Sequence, residues 1–447
     1  MIPSRYNLIT EIDENNYAIF NPLSGAFDIA DKETKTLFLE GKPQNIKEKL
    51  NWIERGYFFN SKNDEEIYIK SRYAEFMTES SKNPVQFLFV QTYSCNFNCS
   101  YCYQKGINES HSGSGDFASE EIVRSFVDFV KKYRNKNNKE VFVSLFGGEP
   151  LLSGEIAKKR VSLLIDLLSK ENIGVSVVTN GYNLAEYVDI LKKANIKEIH
   201  VTLDGDEEIH NQRRFVKDGA GTFAKIIEGL KKAVENNMPV NIRLIIDRIT
   251  LPTLPSLTEK LDKLGFLDLP KTMFKTSLGR NYELINRYMK KEDLLSLDGM
   301  YVEYVKLMNE FPILKKLHIP SFFGITRLIE DGEMYIPNFD ACPATKSEYV
   351  LDGTGKIYGC TASCGRNGYE IGTFYPEIKI HEDKTADWQK RSILTIKECA
   401  DCPVGVVCGG GCGVISYEKT GKILSPNCKP VKEIMDLGIL YYKDKLI

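Results

Sequence analysis

Eleven cysteines in this chain of 447 residues fall into two groups, separated by a long cysteine-free stretch. Cys95, Cys99 and Cys102 form the pattern C-x3-C-x2-C, and eight more cysteines lie between Cys342 and Cys428. In a chain without signs of export, grouped thiols are more often metal ligands than disulfides. The spacing therefore predicts two metal-binding regions.

The first group offers three thiolates in one tight loop. Structural zinc sites use four ligands, often as paired C-x2-C knuckles, and the one further ligand close in sequence is His111. Three thiolates suit a 4Fe-4S cluster in which one iron stays open to a substrate or cofactor. We therefore interpret Cys95, Cys99 and Cys102 as cluster ligands, with a zinc site completed by His111 as the alternative.

Composition places the chain among ordinary globular proteins. Its 59 basic and 61 acidic residues leave a net charge of −2, so no global field attracts nucleic acid or an anionic membrane. No apolar run approaches the roughly 20 residues of a transmembrane helix, and the first residues lack a secretory pattern. We expect a cytoplasmic protein of roughly two to three domains that binds neither nucleic acid nor membrane.

Between the cysteine groups, short β-rich runs alternate with amphipathic helical stretches. The runs begin at residues 85, 141, 175, 198, 240 and 271. Such alternation predicts parallel βα units, and six units fit a partial (β/α)6 TIM-like barrel. The expected class is α/β, with a small α+β domain at 1–80, the barrel at 86–312 and a loop-rich metal-binding domain at 313–447.

Two of the predicted strands alternate polar and apolar residues. The polar members are His200, Thr202 and Asp204 in the fourth strand, and Asn241 and Arg243 in the fifth. Alternate residues of a strand share one face, so these side chains would line a polar cavity, unless the strands lie at a solvent-exposed edge. His200, Asp204 and Arg243 are therefore candidates for substrate contact or proton transfer.

Short motifs follow the predicted strands. GGEP at 147–150 ends the second strand, TNG at 179–181 the third, and DG at 204–205 the fourth. Each alone is an ordinary turn, but loops at the carboxyl ends of parallel strands meet at one catalytic face. Together with the cysteine triad they predict one site, beside which the stretch 105–116 would form a mobile loop.

The first cysteine motif, with Tyr101 before its third cysteine, resembles the signature of radical S-adenosylmethionine (SAM) enzymes over about residues 86 to 280. The resemblance implies that SAM binds the open iron and that a reductant such as flavodoxin or ferredoxin supplies the electron for its cleavage. It assigns SAM contacts to Tyr101, Gly147, Gly148, Glu149, Pro150, Thr179 and Asn180. Asp204-Gly205, with His210 and Arg213, resembles a segment common in the subgroup that carries a SPASM domain.

The second cysteine group resembles that SPASM domain, which holds two auxiliary 4Fe-4S clusters. The resemblance assigns Cys399, Cys402, Cys408 and Cys428 to an outer cluster and Cys342, Cys360 and Cys412 to an inner one. Cys364 lies outside the pattern. We favour it as the fourth inner ligand over a free thiol beside an open iron. Three clusters are then expected in the whole chain. The alternative for the second cysteine group is a pair of structural zinc sites.

The first 80 residues resemble, by element order, a winged-helix element that recognises leader peptides, although a stabilising cap would show the same order. SPASM-bearing enzymes mostly modify peptides. We therefore expect a maturase of a ribosomally made precursor peptide that forms a thioether, carbon-carbon or related modification. The alternatives are a sulfatase-type maturase that makes formylglycine, a radical enzyme acting on a small molecule, and a non-catalytic iron-sulfur carrier.

Overall fold

A computed structural model describes residues 1–104, 106–107, 117–280 and 291–447. His111 and most of the predicted loop at 105–116 lie outside the described residues. The chain forms two compact units. The terminal unit comprises Met1–Asn83, Pro320–Cys342 and Lys390–Ile447, and the barrel unit comprises Pro84–Ile319 and Pro343–Gln389.

The terminal unit combines a small antiparallel sheet with helices from both ends of the chain. Its strands are β1 (Ile2–Pro3), β2 (Leu8–Glu11), β3 (Asn16–Asn21), β4 (Ala26–Asp31) and β5 (Phe58–Phe59). Its helices are Lys32–Glu40, Ile46–Glu54, Lys62–Ser80, Ile325–Glu330, Gly405–Cys408, Gly413–Thr420, Val431–Tyr441 and Lys443–Leu446. Strands β2, β3 and β4 form one sheet in that order, and β1 pairs with β5.

Two short helices follow the strands of the N-terminal sheet. The first helix is capped by the Asp31 side chain and ends at Gly41, which adopts a left-handed conformation with φ 64°. The second begins after Asn45, whose side chain accepts a hydrogen bond from the Glu48 N–H. Helix Lys62–Ser80, which the sequence analysis did not predict, is the longest of this unit.

One core joins the two ends of the chain within the terminal unit. It contains Tyr6, Leu23, Ile69, Phe339, Ile393, Ile396, Cys399 and Val406. Arg5 adds polar links, because its guanidinium contacts Glu65 at 3.1 Å, Glu66 at 2.6 Å and Asp401 at 2.9 Å. The predicted domains at 1–80 and 313–447 are therefore not separate in their packing, and their functional boundaries stay a prediction.

The barrel unit is built on a ten-stranded sheet. Its strands are β6 (Val85–Val90), β7 (Val141–Phe146), β8 (Gly174–Thr179), β9 (Ile196–Leu203), β10 (Val240–Ile245), β11 (Phe274–Gly279), β12 (Glu348–Asp352), β13 (Lys356–Tyr358), β14 (Glu370–Thr373) and β15 (Lys379–Ile380). Their order is β11-β10-β9-β8-β7-β6-β12-β13-β14-β15. Strands β6 to β11 are parallel, which confirms the predicted α/β class and six βα units.

Helices connect the parallel strands. The helices are Glu120–Asn137, Glu155–Lys170, Leu184–Leu191, Glu207–Arg213, Phe223–Glu235, Leu254–Lys263, Leu297–Glu310, Leu314–Leu317 and Glu382–Lys390, whose last residue falls in the terminal unit. In β9, Ile199, Val201 and Leu203 are fully buried, whereas His200 and Thr202 are half-buried. The predicted polar and apolar faces of this strand are confirmed.

Strand β12 was not predicted. It lies parallel to β6, with Val350 opposite Leu88 and Asp352 opposite Val90, and continues into the antiparallel strand β13. Part of the region predicted as a loop-rich domain therefore extends the barrel sheet. Among the described helices, none is long and apolar enough to cross a membrane.

Candidate active site

The cysteine triad follows β6, at the carboxyl end of the parallel sheet. Burial raises the pKa of the Cys95 thiol to about 12, and the nearby Glu149 carboxylate adds to the rise. The Phe97 N–H donates to Cys95 Sγ at 3.4 Å. A bound metal ion would supply the positive charge that these buried thiols need in order to ionise.

This donor set fits an iron-sulfur cluster. Cys99 and Cys102 lie close enough to Cys95 to act on its pKa. In the described part of the chain, no three His, Cys, Asp or Glu side chains converge on one metal ion. The thiolates of a four-iron cluster each bind a different iron, so they do not have to converge. Three neighbouring thiolates would leave the fourth iron open.

The GGEP motif packs against the segment that leads into the triad. The Gly148 N–H donates to the Thr92 carbonyl at 3.0 Å, and the Glu149 N–H donates to the Ser94 carbonyl at 2.9 Å. A Cβ atom on Gly148 would lie 2.3 Å from the Ser94 oxygen, and one on Gly147 would lie 2.5 Å from the Thr92 oxygen. Both glycines are therefore required by close backbone approach.

Glu149 ties this motif to the TNG motif. Its side chain is buried and accepts hydrogen bonds from Thr179 Oγ1 at 2.6 Å, the Asn180 N–H at 2.6 Å and the Leu151 N–H at 2.8 Å. Burial raises the pKa of Glu149, while these hydrogen bonds oppose the rise. The carboxylate thus holds the loops after β7 and β8 together, and its contact with SAM stays a prediction.

Asn180 brings the third motif to the cysteine loop. Its amide Nδ2 donates to Asn96 Oδ1 at 2.8 Å and lies 3.9 Å from Cys95 Sγ. Thr179 Oγ1 accepts a hydrogen bond from the Gly181 N–H at 3.0 Å. The structure therefore brings together the predicted residues of the triad, GGEP and TNG.

Two consecutive arginines surround Tyr101, the aromatic residue of the triad. The Arg213 guanidinium lies 5.1 Å from the Tyr101 ring centre, and Arg214 Nη1 donates to the Tyr101 hydroxyl at 2.7 Å. Burial raises the pKa of Tyr101 well above its usual value. Burial also raises the pKa of Cys99, and the charge of Arg214 opposes that rise. Arg214 thus places a positive charge beside the triad.

Arg213 bridges two aspartates that follow adjacent strands. Its Nε lies 3.2 Å from Asp204 Oδ2, and its Nη2 lies 2.6 Å from Asp247 Oδ2. Both aspartate side chains are fully buried. Asp204 is therefore part of the site, as predicted. Arg214 and Asp247 were missed, although the Arg213-Arg214 pair and an aspartate directly after a strand were visible in the sequence.

The other predicted polar residues have different partners. His200 Nε2 is 2.7 Å from Glu198 Oε2, and Lys275 Nζ is 2.5 Å from Glu198 Oε1. Arg243, in the middle of β10, is exposed. His210 is buried and structural, since its Nδ1 accepts the Asp204 N–H at 3.2 Å. Burial lowers the pKa of His210.

A buried polar link connects the cysteine loop to the additional strands. The Tyr93 hydroxyl, two residues before Cys95, donates to Asp352 Oδ2 at 2.8 Å and lies 3.4 Å from Cys364 Sγ. Burial raises the pKa of both Tyr93 and Cys364 far above their usual values. Sequence spacing could not reveal this link, because its members are about 260 residues apart in the chain.

In the terminal unit, the four cysteines assigned to the outer cluster lie near one another. Burial raises the pKa of Cys399 to about 12, and Cys408, Cys402 and Cys428 contribute to the rise. This proximity suits a shared cluster. Of the cysteines assigned to the inner cluster, Cys342 and Cys412 belong to the terminal unit, and Cys360 and Cys364 belong to the barrel unit.

Comparison with known proteins identifies the class. Residues 89–260 match the Radical SAM superfamily. This range contains the triad, GGEP, TNG and both arginines of the site. The chain therefore carries a radical SAM domain and is an enzyme.

Particular relatives extend the likeness beyond this domain. The radical SAM cyclopropyl synthase TigE of Paramaledivibacter caminithermalis is 22% identical over 434 residues, covering 93% of this chain and 86% of TigE. The cysteine-type anaerobic sulfatase-maturating enzyme of Clostridium perfringens is 22% identical over 363 residues, covering 78% and 90%. The crystal structure of Streptococcus suis SuiB bound to its precursor peptide SuiA has a TM-score of 0.55 at 16% identity, covering 96% and 99%, and shows a shared fold.

Proposed function

We propose that this radical SAM enzyme is a maturase that modifies a ribosomally made precursor peptide. The observation that carries the proposal is a terminal unit in which the N-terminal segment and the second cysteine region share one core. A barrel that cleaves SAM does not need such a unit, whereas an enzyme with a peptide substrate and auxiliary clusters can use both parts. The likeness to SuiB over 96% of the chain supports this interpretation.

Residues of the barrel unit would hold the cofactors. Cys95, Cys99 and Cys102 would bind the catalytic cluster, while the GGEP and TNG loops would bind SAM. When bound, these groups supply a 5′-deoxyadenosyl radical that removes a hydrogen atom from the substrate. Glu149 keeps both SAM-binding loops in register, and Arg214 offsets negative charge next to Cys99.

The polar face of the sheet would receive the peptide. His200 and Arg243 remain proposed substrate contacts on this face. Asp204 Oδ1 is buried and has no hydrogen-bond partner among the described residues, so it is available as an acceptor. The alternating apolar side chains of β9 and β10 lie on the opposite face and are buried.

The outer edge of β4 is the proposed docking site for the leader segment. Strand β4 is the last strand of its sheet, and the Phe27 carbonyl accepts a hydrogen bond from the Arg55 side chain at 3.1 Å, so this carbonyl faces outward. Residues two apart in a strand share an orientation, so the Ile29 N–H also faces outward. A leader peptide could pair with this edge as an added strand.

The function is tested by anaerobic reconstitution with iron and sulfide, followed by SAM, a strong reductant and the precursor peptide encoded beside the gene. We expect 5′-deoxyadenosine together with a peptide that has lost hydrogen and shows a crosslink in tandem mass spectrometry. The variant Cys99→Ala should produce neither. Production of 5′-deoxyadenosine without any change in the peptide would contradict the peptide assignment.

Leader docking is tested by Ile29→Pro, which removes an outward N–H without removing a bond to β3. Ile29→Thr is the matched control, because it keeps the N–H. We expect the proline variant to bind the leader peptide more weakly, with unchanged SAM cleavage in the absence of peptide. Equal leader affinity of the two variants would favour a purely structural role for the sheet. Deletion of residues 1–83 is a poorer test, because it would expose the shared core.

A sulfatase-type maturase is the second candidate, favoured by the Clostridium perfringens relative. It predicts formylglycine in a cysteine-containing sulfatase peptide rather than a crosslink. Presenting that peptide and the neighbouring precursor in parallel reactions distinguishes the two candidates. Turnover of a small molecule in the absence of either peptide would support the remaining alternative.

A further inference from the structure

A buried arginine lies among the loops that carry the second cysteine group. Arg391 is 1% exposed and precedes Cys399 in the terminal unit. Its Nη1 donates to the Ser425 carbonyl at 2.8 Å, and its Nη2 donates to the Gly410 carbonyl at 2.6 Å. Further acceptors are the carbonyls of Ile423 and Gly411 and the hydroxyl of Ser416. One guanidinium thus contacts both the segment between Cys408 and Cys412 and the segment before Cys428.

The backbone between Cys408 and Cys412 adopts a conformation that permits these contacts. Gly409, Gly410 and Gly411 have φ values of 62°, 77° and 72°, a left-handed conformation that other residues rarely adopt. A Cβ atom on Gly411 would lie 2.2 Å from the Asn427 oxygen. The Asn427 N–H donates to the Gly410 carbonyl at 3.0 Å, so the same carbonyl joins Arg391 to the segment before Cys428.

The charge of Arg391 lies beside the loops that bear the thiols, because its Nη2 contacts the Gly410 carbonyl, two residues from both Cys408 and Cys412. Lys429 is exposed and directly follows Cys428. Four thiolates and a 4Fe-4S core together carry a net negative charge, which increases when the cluster takes up an electron. A buried cation therefore stabilises the reduced form more than the oxidised form, and water screens it less than a surface cation.

We propose that Arg391 is the counter-cation of the outer auxiliary cluster, raising its reduction potential and holding together the loops that bear Cys408, Cys412 and Cys428. This inference rests on the proposed cluster content. It makes the outer cluster more easily reduced than it would be without this cation. Arg391 acts through the charge and geometry of the site and does not bind iron itself.

The test uses full-length protein, reconstituted anaerobically, as wild type, Arg391→Gln, Arg391→Lys and Lys429→Gln. Iron per chain is measured first, and the midpoint potentials of the clusters are then followed by electron paramagnetic resonance. We expect Arg391→Gln to lower the outer-cluster potential or to lose the iron of that cluster. Arg391→Lys keeps the charge and should stay closer to wild type, while the exposed Lys429→Gln should shift the potential little. The catalytic cluster should be unaffected in all variants.

The outcomes test the presence of the auxiliary clusters and the role of Arg391 separately. A wild-type protein with the iron of one cluster would refute the auxiliary clusters themselves. A wild-type protein with three clusters, and an Arg391→Gln variant with equal iron and an unchanged outer potential, would refute the role of Arg391. If Arg391→Gln does not yield folded protein, Arg391→Lys decides: because lysine keeps the charge, an outer potential well below that of the wild type, seen with full iron, would overturn the role of charge.

Discussion

Removal of Arg213 should strongly destabilise the barrel unit. Its guanidinium bridges the buried carboxylates of Asp204 and Asp247, at 3.2 and 2.6 Å, while its own side chain is 14% exposed. Arg213→Met would leave two buried carboxylates without this partner. Removing one partner of a buried ion pair typically costs about 3–5 kcal/mol, and we expect a loss of this size in the free energy of unfolding at neutral pH.

The bridge also lies next to the cysteine triad. Because Arg213 also packs on Tyr101 beside Cys102, we expect a lower yield of 5′-deoxyadenosine per reconstituted chain.

Urea unfolding at neutral pH, followed by circular dichroism, measures the change in stability. Arg124→Met, at an exposed position on helix Glu120–Asn137, is the matched control and should change the stability by less than about 0.5 kcal/mol. Asp247→Asn combined with Arg213→Met should recover part of the loss. If Arg213→Met is as stable as Arg124→Met at neutral pH, the bridge does not stabilise the fold and our reasoning is wrong.

Two further predictions concern the polar groups of the barrel unit. Cys364→Ala should lower the iron per chain and alter one auxiliary signal, because we assign its thiolate to the inner cluster; Tyr93→Phe removes the hydroxyl 3.4 Å from that thiol and should keep the iron. If the iron content of Cys364→Ala is unchanged, Cys364 is not a ligand, and the inner cluster has an open iron. Burial alone would raise the pKa of Glu198, but hydrogen bonds from His200, Lys275 and Asn241 outweigh it and lower the pKa from 4.5 to about 2. The stability from this depressed pKa is present above pH 4.5 and is lost as the pH falls toward 2, so melting temperatures of Glu198→Gln should depend less on pH in that range.

Much of the barrel could be predicted because its signals are local. All six predicted runs overlap strands β6 to β11, because the hydrophobic periodicity that distinguishes strands from helices is a property of short sequence windows. The motifs after those runs were expected to meet because parallel strands end at one edge. The hydrogen bonds from Thr179 and Asn180 to Glu149 confirm that the second and third motifs meet.

Elements without a strong local signal were missed. Helix Lys62–Ser80 is rich in charged residues, with only Glu65 and Ile69 buried, so it has no broad apolar stripe. Strand β12 is a short run of five residues that joins β6 from about 260 positions away. Its place in the sheet depends on long-range pairing, which single-sequence periodicity does not contain.

The sequence by itself determined the ligand types, their spacing and their order along the strands, because these follow from covalent connectivity and side-chain chemistry. Tertiary structure alone decided which charges accompany them. Folding brought Arg213 between Asp204 and Asp247 in one buried ion-pair bridge. It also placed Arg391 among the loops that bear cysteines. Folding also packed residues from both ends of the chain into a single core, because removing apolar surface from water is favourable.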